Sequence, residues 1–192
     1  WLALRQVSHV KQHRNKTPAA FAEKISLKEH QKAADYTIAK EKLSNIELLL
    51  GTALIFIWTL GGGLELLDQF IRSYELEPIY AGVAFILLMG FISSIIDTPI
   101  GLYNTFVLEE KFGFNRTTFK VWLIDLIKQS ILGLVIGIPL IMVILWLMNS
   151  AGEYWWLYAW AVWMAFSFFM MWAYPAFIAP IFNKFTDLEE GE

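Results

Sequence analysis

The chain has 192 residues, of which 57% are hydrophobic and only 17% are charged. An ordinary soluble domain carries about 25% charged residues, so this sequence has too few charges to cover a water-exposed surface and too much apolar mass to be disordered. The net charge of −3 offers no basic footprint for a nucleic acid. The absence of cysteine excludes disulfides, a thiolate nucleophile and a cysteine-ligated metal.

The first 45 residues form a basic, polar segment that contains nine of the 15 Lys and Arg residues. Ser26 followed by Glu29 is a capping box, which signals the start of a helix. The sequence predicts a polar juxtamembrane helix from there to about Ser44. Its apolar face is thin, so we expect it to lie against another cytoplasmic element or the membrane surface. The alternative is a solvated helix that leads into the first span.

Histidines in this segment are the first candidates for a metal site. His9 and His13 have the i,i+4 spacing that places two imidazoles on one helix face. A zincin needs a glutamate directly after its first histidine as general base, but Val10 occupies that position and Lys11 adds a positive charge. His30 stands alone in the sequence. We interpret the pair as a coincidence, so the sequence offers no metal ligand set and no catalytic residue.

Four apolar stretches follow, and they decide the fold class. They are residues 46–64, 79–96, 129–152 and 154–183. Each is close to or above the roughly 20 residues that a helix needs to cross about 30 Å of hydrocarbon. Only helices and closed barrels can span lipid, and these stretches lack the alternation of barrel strands. The sequence therefore predicts an all-α integral membrane helical bundle with four transmembrane helices and a cytoplasmic juxtamembrane helix.

The distribution of basic residues predicts the orientation of these helices. Residues 1–45 hold nine Lys and Arg, the loop at 65–78 holds one, and the third connector holds four. The loop around Glu153 holds none, and the tail holds Lys184 alone. Segments that are rich in Lys and Arg alternate with segments that are poor in them, as the positive-inside rule expects. Both ends and the third connector should therefore face the cytoplasm, and the two acidic loops the other side.

Two glycine motifs have structural interpretations. Gly61-Gly62-Gly63 lacks the preceding strand and the following Lys-Ser/Thr of a phosphate-binding loop, so it should mark a helix end. Gly133 and Gly137 have the spacing of a membrane helix-packing motif. Pro139 directly after them should kink the third span.

The third connector is a dense polar region beside the membrane. Asp97-Thr98-Pro99 should end the second span, because the residue before a proline avoids the helical region. Residues 102–119 then mix aromatic and charged side chains, and charged residues at such positions are often functional. The alternative is a simple loop in which Thr117 or Thr118 caps the next helix.

Neither end of the sequence looks natural. The chain begins at Trp1 without a methionine, and Trp1–Arg5 is typical of the tail of an earlier helix. Thr186 and Glu189 form a second capping box just before the sequence stops. We expect the chain to be a fragment or a processed piece of a longer protein.

Two long motifs resemble the N-terminal membrane region of the CAAX prenyl endopeptidases. The first is residues 102–115 (LYNTFVLEEKFGFN), and the second is residues 178–186 (IAPIFNKFT) with LEEG at 188–191. Arg5-Gln6 is similar to the opening of the family, and the resemblance covers essentially the whole chain. It implies an integral-membrane zinc metalloendopeptidase whose seven helices enclose a chamber. The four spans would correspond to its second to fifth helices.

The resemblance also implies an activity for the intact enzyme. Family members bind zinc through His-Glu-x-x-His and a later Glu on the cytoplasmic side. They remove the C-terminal tripeptide of prenylated proteins in the endoplasmic reticulum and inner nuclear membranes, and related bacterial enzymes resemble quality-control proteases of the inner membrane. By this resemblance, the partners of this chain would be the lipid bilayer, a downstream zinc catalytic domain and a prenylated or membrane-associated peptide.

Two departures from the family pattern limit what this chain can do alone. His-Glu-x-x-His does not occur in the 192 residues, and in the family it lies downstream of the position where this sequence stops. A zinc hydrolase without its ligands has no Lewis acid and no activated water, so this chain alone should bind no zinc and be inactive. Asp187 stands where the family usually carries proline, which should alter only a helix cap.

These expectations divide the chain into three parts. Residues 1–45 are the cytoplasmic juxtamembrane segment, residues 46–183 the four-helix transmembrane region with a cytoplasmic connector at about 99–120, and residues 184–192 the start of a link to a missing catalytic domain. The transmembrane part would form chamber wall and dock the zinc domain. The candidate docking residues are Glu109, Glu110, Lys111, Asn115, Arg116, Asn183, Lys184 and Phe185.

The alternative is a non-catalytic membrane scaffold or a transporter-like subunit. Pro139, the glycine-rich spans and Pro175 would then serve helix breaks and packing. The middle of each predicted span lacks a charged residue, which argues against coupled ion transport.

Overall fold

The structure, a computed structural model, describes residues 2–18 and 23–183. The described residues are helical, with turns and no strand. The helices are α1 (Leu2–His13), α2 (Leu27–Thr59), α3 (Gly63–Arg72), α4 (Pro78–Tyr103), α5 (Glu110–Phe112), α6 (Phe119–Ser150), α7 (Trp155–Ala173) and α8 (Ala179–Phe182). Two π-helical segments, π1 (Asn104–Glu109) and π2 (Tyr174–Ile178), follow α4 and α7, and a 3₁₀ turn at Gly152–Tyr154 precedes α7.

Four of the described helices are long and apolar enough to cross a membrane. They are Leu27–Thr59, Pro78–Phe112, Phe119–Ser150 and Gly152–Phe182. Large apolar side chains along them are exposed in the isolated chain; Met171, for example, is 74% exposed. Lipid or further helices cover such surfaces in a membrane. The prediction of an all-α membrane fold with four spanning helices is confirmed.

Local capping signals place two helix starts where the sequence predicts them. The side chain of Ser26 accepts a hydrogen bond from the backbone of Glu29, and the Glu29 carboxylate accepts one in return from the backbone of Ser26, which starts α2. Thr118 caps α6 by accepting a hydrogen bond from the backbone of Val121. Because α2 then continues to Thr59, the polar juxtamembrane helix and the first span are one continuous helix.

Helix α4 corrects one prediction. Pro99 lies inside the helix, which continues through π1 and α5 to Phe112, so the prediction that it ends at Asp97-Thr98-Pro99 is wrong. Proline removes one backbone donor, but hydroxyl side chains and local π adjustments can compensate in membrane helices. Here Thr98 donates its hydroxyl to the Ser94 carbonyl at 2.7 Å, and π1 begins five residues after the proline.

The chain divides into two compact units. The first comprises residues 1–75 and 85–117, and the second residues 76–84 and 118–192. In the first unit α2 packs against α1, α3 and π1, and in the second α6 packs against α7. Gly62 begins α3 in the left-handed conformation, with φ of 78°, which glycine adopts without strain. The glycine motif at 61–63 therefore forms the turn between α2 and α3.

Candidate functional site

The candidate functional site lies where π1 meets α2 in the first unit. The chain widens from an α-helix into the π-helix at Asn104 and returns to an α-helix at Glu110. Such π segments are rare and often occur at functional sites. Gly113 then reverses the chain with φ of 73°, and the backbone amide of Phe114 donates to the Glu109 carbonyl at 2.9 Å. The connector residues are thereby folded back against the end of the helix.

Four polar side chains, here called the polar cluster, join α2 to π1. The Tyr36 hydroxyl donates to Oε1 of Glu109 at 2.8 Å. The Lys40 ammonium donates to the same oxygen at 3.0 Å and to Oδ1 of Asn104 at 3.0 Å. The Glu109 side chain is 21% exposed and the Lys40 side chain 40%. One carboxylate therefore accepts hydrogen bonds from two groups that are one turn apart on α2.

An apolar layer lies beside the polar cluster. Leu43, Leu108 and Phe112 form a buried core against which Tyr36, Ala39 and Ile100 pack. The Tyr36 ring meets Phe112 edge-on at a centroid distance of 5.3 Å and Phe114 at 4.8 Å. Such edge-to-face pairs contribute about 0.5–1.5 kcal/mol beyond their burial. Tyr36 thus connects the apolar layer with the polar cluster through its ring and its hydroxyl.

The candidate docking residues in the connector have different environments. Glu109 is turned toward α2, and Glu110 accepts a hydrogen bond from the Asn115 amide at 3.0 Å. The Asn115 carbonyl oxygen in turn accepts from the backbone of Thr117 at 2.8 Å. The ammonium of Lys111 lies 5.8 Å from the centroid of the Phe112 ring, and Arg116 is exposed.

The remaining candidate docking residues lie at the end of the second unit. Asn183 is exposed and follows α8. Lys184 and Phe185 lie outside the described residues. Nearby, the Lys128 ammonium donates to the Ile181 carbonyl at 3.0 Å and lies 5.8 Å from the centroid of the Phe182 ring. α8 is thereby held to the start of α6.

Tyr36 and Lys40 are site residues that sequence reasoning missed. The i,i+4 spacing of the pair on a predicted helix was visible, but it is equally typical of a solvated helix face. Their partner Glu109 is 73 residues from Tyr36 and 69 from Lys40. No local pattern connects positions so far apart, so only the tertiary structure identifies the cluster.

The N-terminal hairpin holds the three histidines. Arg14 forms a bidentate ion pair with Asp35, both distances 2.7 Å, and this hydrogen-bonded carboxylate raises the pKa of Arg14. The His30 ring donates from Nε2 to the His13 carbonyl at 3.0 Å. The fold of α1 onto α2 thereby brings His30 to the backbone of His13, although the two residues are 17 positions apart in the sequence.

This hairpin does not fit the zinc ion that the resemblance implies. The His13 ring donates from Nδ1 to the His9 carbonyl at 2.9 Å, and the two rings lie against each other at a centroid distance of 4.2 Å. Among the described residues, no three His, Asp or Glu side chains are grouped so that they could hold a metal ion. No catalytic step is therefore assigned to a metal held by these residues.

The glycine motif of the third span borders a groove between α6 and α7. The groove has a volume of about 660 Å³ and is lined by Gly133, Gly137, Phe166, Met170 and neighbouring residues. A Cβ atom added at either glycine would meet no described atom within 4 Å. Both glycines therefore leave open space beside α6 in the described structure.

Comparison with known proteins identifies relatives of the whole chain. Residues 6–184 match the family described as CAAX prenyl protease N-terminal, five membrane helices. The CAAX prenyl protease 1 homolog of Caenorhabditis elegans is 31% identical over 184 residues, which are 95% of this chain and 41% of that protein. CAAX prenyl protease 1 of Saccharomyces cerevisiae is 30% identical over 202 residues, covering 100% of this chain and 44% of that protein.

The fold of the chain is also similar to a solved structure. The crystal structure of S. mikatae Ste24p matches with a TM-score of 0.84 and 27% sequence identity, covering 99% of this chain and 47% of that chain. The chain spans less than half the length of each of these proteins.

Proposed function

Because this chain belongs to the CAAX prenyl protease family as its N-terminal membrane region, we propose that it is the membrane-embedded part of a zinc metalloendopeptidase that cleaves prenylated or membrane-associated peptides. The match over residues 6–184 is the observation that carries this proposal. The similarity to Ste24p along almost the whole chain supports it. The four apolar helices would form part of the wall around the substrate.

The catalytic chemistry in this proposal belongs to a zinc domain outside the 192 residues. In that domain zinc would polarise the scissile carbonyl and lower the pKa of a bound water. The residues of this chain have positioning roles instead. The polar cluster fixes π1 to α2, and the hydrogen bonds of Glu110 and Asn115 fold the connector beside it.

We propose that the connector residues that do not bind α2 are the docking surface for the zinc domain. The connector part of this surface consists of the exposed Glu110, Lys111 and Arg116 and the half-buried Asn115, and Asn183, Lys184 and Phe185 extend it. Glu109 has a different role, because its carboxylate already accepts hydrogen bonds from Tyr36 and Lys40. It would position the docking surface instead of contacting the zinc domain.

Charge reversal tests the docking surface in the intact parent enzyme. We expect Glu110→Lys and Arg116→Glu each to lower kcat/KM for a farnesylated peptide by about fivefold, the effect of roughly 1 kcal/mol lost at a domain interface. Membrane insertion should stay normal, because both side chains are exposed. Peptide cleavage and membrane yield would be measured together.

Glu153→Lys is the matched control, since Glu153 is exposed and lies in a loop predicted to be on the opposite side of the membrane. Unchanged activity in both connector variants would contradict the docking proposal. An equal loss of activity in the control would contradict it as well, because the effect would then not be specific to the connector.

The orientation and location are also proposals. We propose that both ends of the chain and the connector face the cytoplasm, where the zinc domain would act. A eukaryotic protein would lie in the endoplasmic reticulum or inner nuclear membrane, and a bacterial one in the inner membrane.

A further inference from the structure

The first unit also contains a groove, and the composition of its lining points to a ligand. It lies between α2 and the helix formed by α4, π1 and α5, and its volume is about 490 Å³. Pockets for small ligands typically have about 300–1,000 Å³. Its lining residues are Ala39, Lys42, Leu43, Ile46, Pro99, Ile100, Tyr103, Val107, Leu108, Lys111 and Phe112. We call this pocket the lysine groove.

The lysine groove has an apolar end and a basic end. Lys42 is one turn before Ile46 on α2, and Lys111 is about three turns after Pro99 on the facing helix. The two helices run in opposite directions along the groove, because Tyr36 contacts Phe112 whereas Lys40, one turn further along α2, contacts the earlier residue Asn104. Both lysines therefore lie toward the polar ends of their helices, and the apolar residues extend toward the membrane-spanning parts.

The two lysines are the charged residues of the groove lining. Both are exposed. The acidic side chains next to Lys111 in the sequence have other partners: Glu109 is bound to Tyr36 and Lys40, and Glu110 to Asn115. The basic end of the groove thus combines two ammonium groups with carboxylates that are directed to other hydrogen-bond donors.

We propose that the lysine groove binds an anionic phospholipid from the cytoplasmic leaflet. Basic pockets between transmembrane helices on the cytoplasmic side bind anionic lipid headgroups, and long lysine side chains reach from the helix surface to the headgroup level. An acyl chain would lie along Leu43, Ile46 and Ile100, and the phosphate would lie between the two lysines. This inference rests on the proposed orientation and not on the proteolytic activity.

Native mass spectrometry of the intact parent protein in detergent tests the proposal. The probes are phosphatidylserine and phosphatidylcholine with identical acyl chains. We expect phosphatidylserine to bind roughly 30-fold more tightly, the factor that corresponds to about 1 kcal/mol for each of two lysines. The double variant Lys42→Gln/Lys111→Gln should bind the two lipids alike.

A matched control separates the groove from general surface charge. Lys24→Gln/Lys120→Gln removes the same charge from exposed positions outside the groove and should keep the preference. Val107→Trp is a second test, because Val107 lines the groove and is 50% exposed. The indole ring of the introduced tryptophan should fill the groove and weaken phosphatidylserine binding without any change of charge.

Three results would overturn the proposal. Equal binding of the two lipids by the wild-type chain would show that the groove does not select an anionic headgroup. An equal loss of preference in the control pair would show that surface charge alone attracts the lipid. Full binding by the Val107→Trp variant would show that the lipid lies elsewhere. Since the experiment measures lipid binding and not peptide cleavage, these outcomes leave the protease proposal untouched.

Discussion

Replacing Glu109 with lysine should open the contact between π1 and α2 and raise amide hydrogen exchange in residues 104–112 by about 30-fold. The substitution removes the shared acceptor of Tyr36 and Lys40 and places a second positive charge beside Lys40. Breaking a buried ion pair costs about 3–5 kcal/mol. Because the Lys40 side chain is 40% exposed, we expect a local loss of about 2 kcal/mol, which corresponds to the stated factor.

Two further variants define the cause of this loss. The swap Lys40→Glu/Glu109→Lys restores opposite charges at the same positions, and should recover at least half of the lost protection. Glu110→Gln is the neighbouring control, whose exposed side chain interacts with the connector residue Asn115 and not with α2. Unchanged exchange in Glu109→Lys, or no recovery in the swap, would contradict the role of the polar cluster.

Single-cysteine labelling should divide the loops into two groups. The chain contains no cysteine, so a membrane-impermeant maleimide reacts only at introduced positions. In sealed vesicles with the cytoplasmic face outward, Ser8→Cys and Arg116→Cys should react without detergent. Ser73→Cys and Glu153→Cys should react only after permeabilisation. The basic residues are concentrated in the N-terminal segment around position 8 and in the connector around position 116. The positive-inside rule retains such segments in the cytoplasm.

Detergent-permeabilised vesicles provide the control, in which all four positions should react because all four parent side chains are exposed. Protection of the cysteine at position 116 before permeabilisation would contradict the orientation. It would also remove the docking surface from the side on which a zinc domain is proposed to act.

Much of the fold could be predicted because its causes are local. The four spans follow from the length and apolar content of their sequences, and the structure has four matching helices. Ser26 and Thr118 start helices through hydrogen bonds that reach only three residues along the chain. Signals of this range are readable in a sequence because donor and acceptor occur in the same short window.

Pro99 shows how a local rule can fail inside a membrane helix. A proline disfavours the helical conformation of the residue before it, so the sequence predicts a helix end there. In lipid, however, leaving the helix would expose several backbone groups without water to bind them. Continuing the helix sacrifices a single hydrogen bond, which is the smaller cost, and α4 runs on into π1.

The candidate site could be predicted only in part. The charged and aromatic connector was recognisable as unusual, and the structure places Glu109 there in the polar cluster. The partners on α2 were not recognisable, because a tyrosine and a lysine on a polar helix have no distinctive local pattern. The π-helix that turns Glu109 toward α2 also has no sequence signal that we could identify.

We have proposed that this chain is the membrane-embedded part of a longer zinc metalloendopeptidase. The most direct test is the mass of the natural protein, with sequencing of the residues that follow Glu192. We expect a protein well above the 22.1 kDa of this chain, with a continuation that carries His-Glu-x-x-His. A natural protein that ends at Glu192, or a continuation without a zinc-binding motif, would contradict the claim and favour a non-catalytic membrane module.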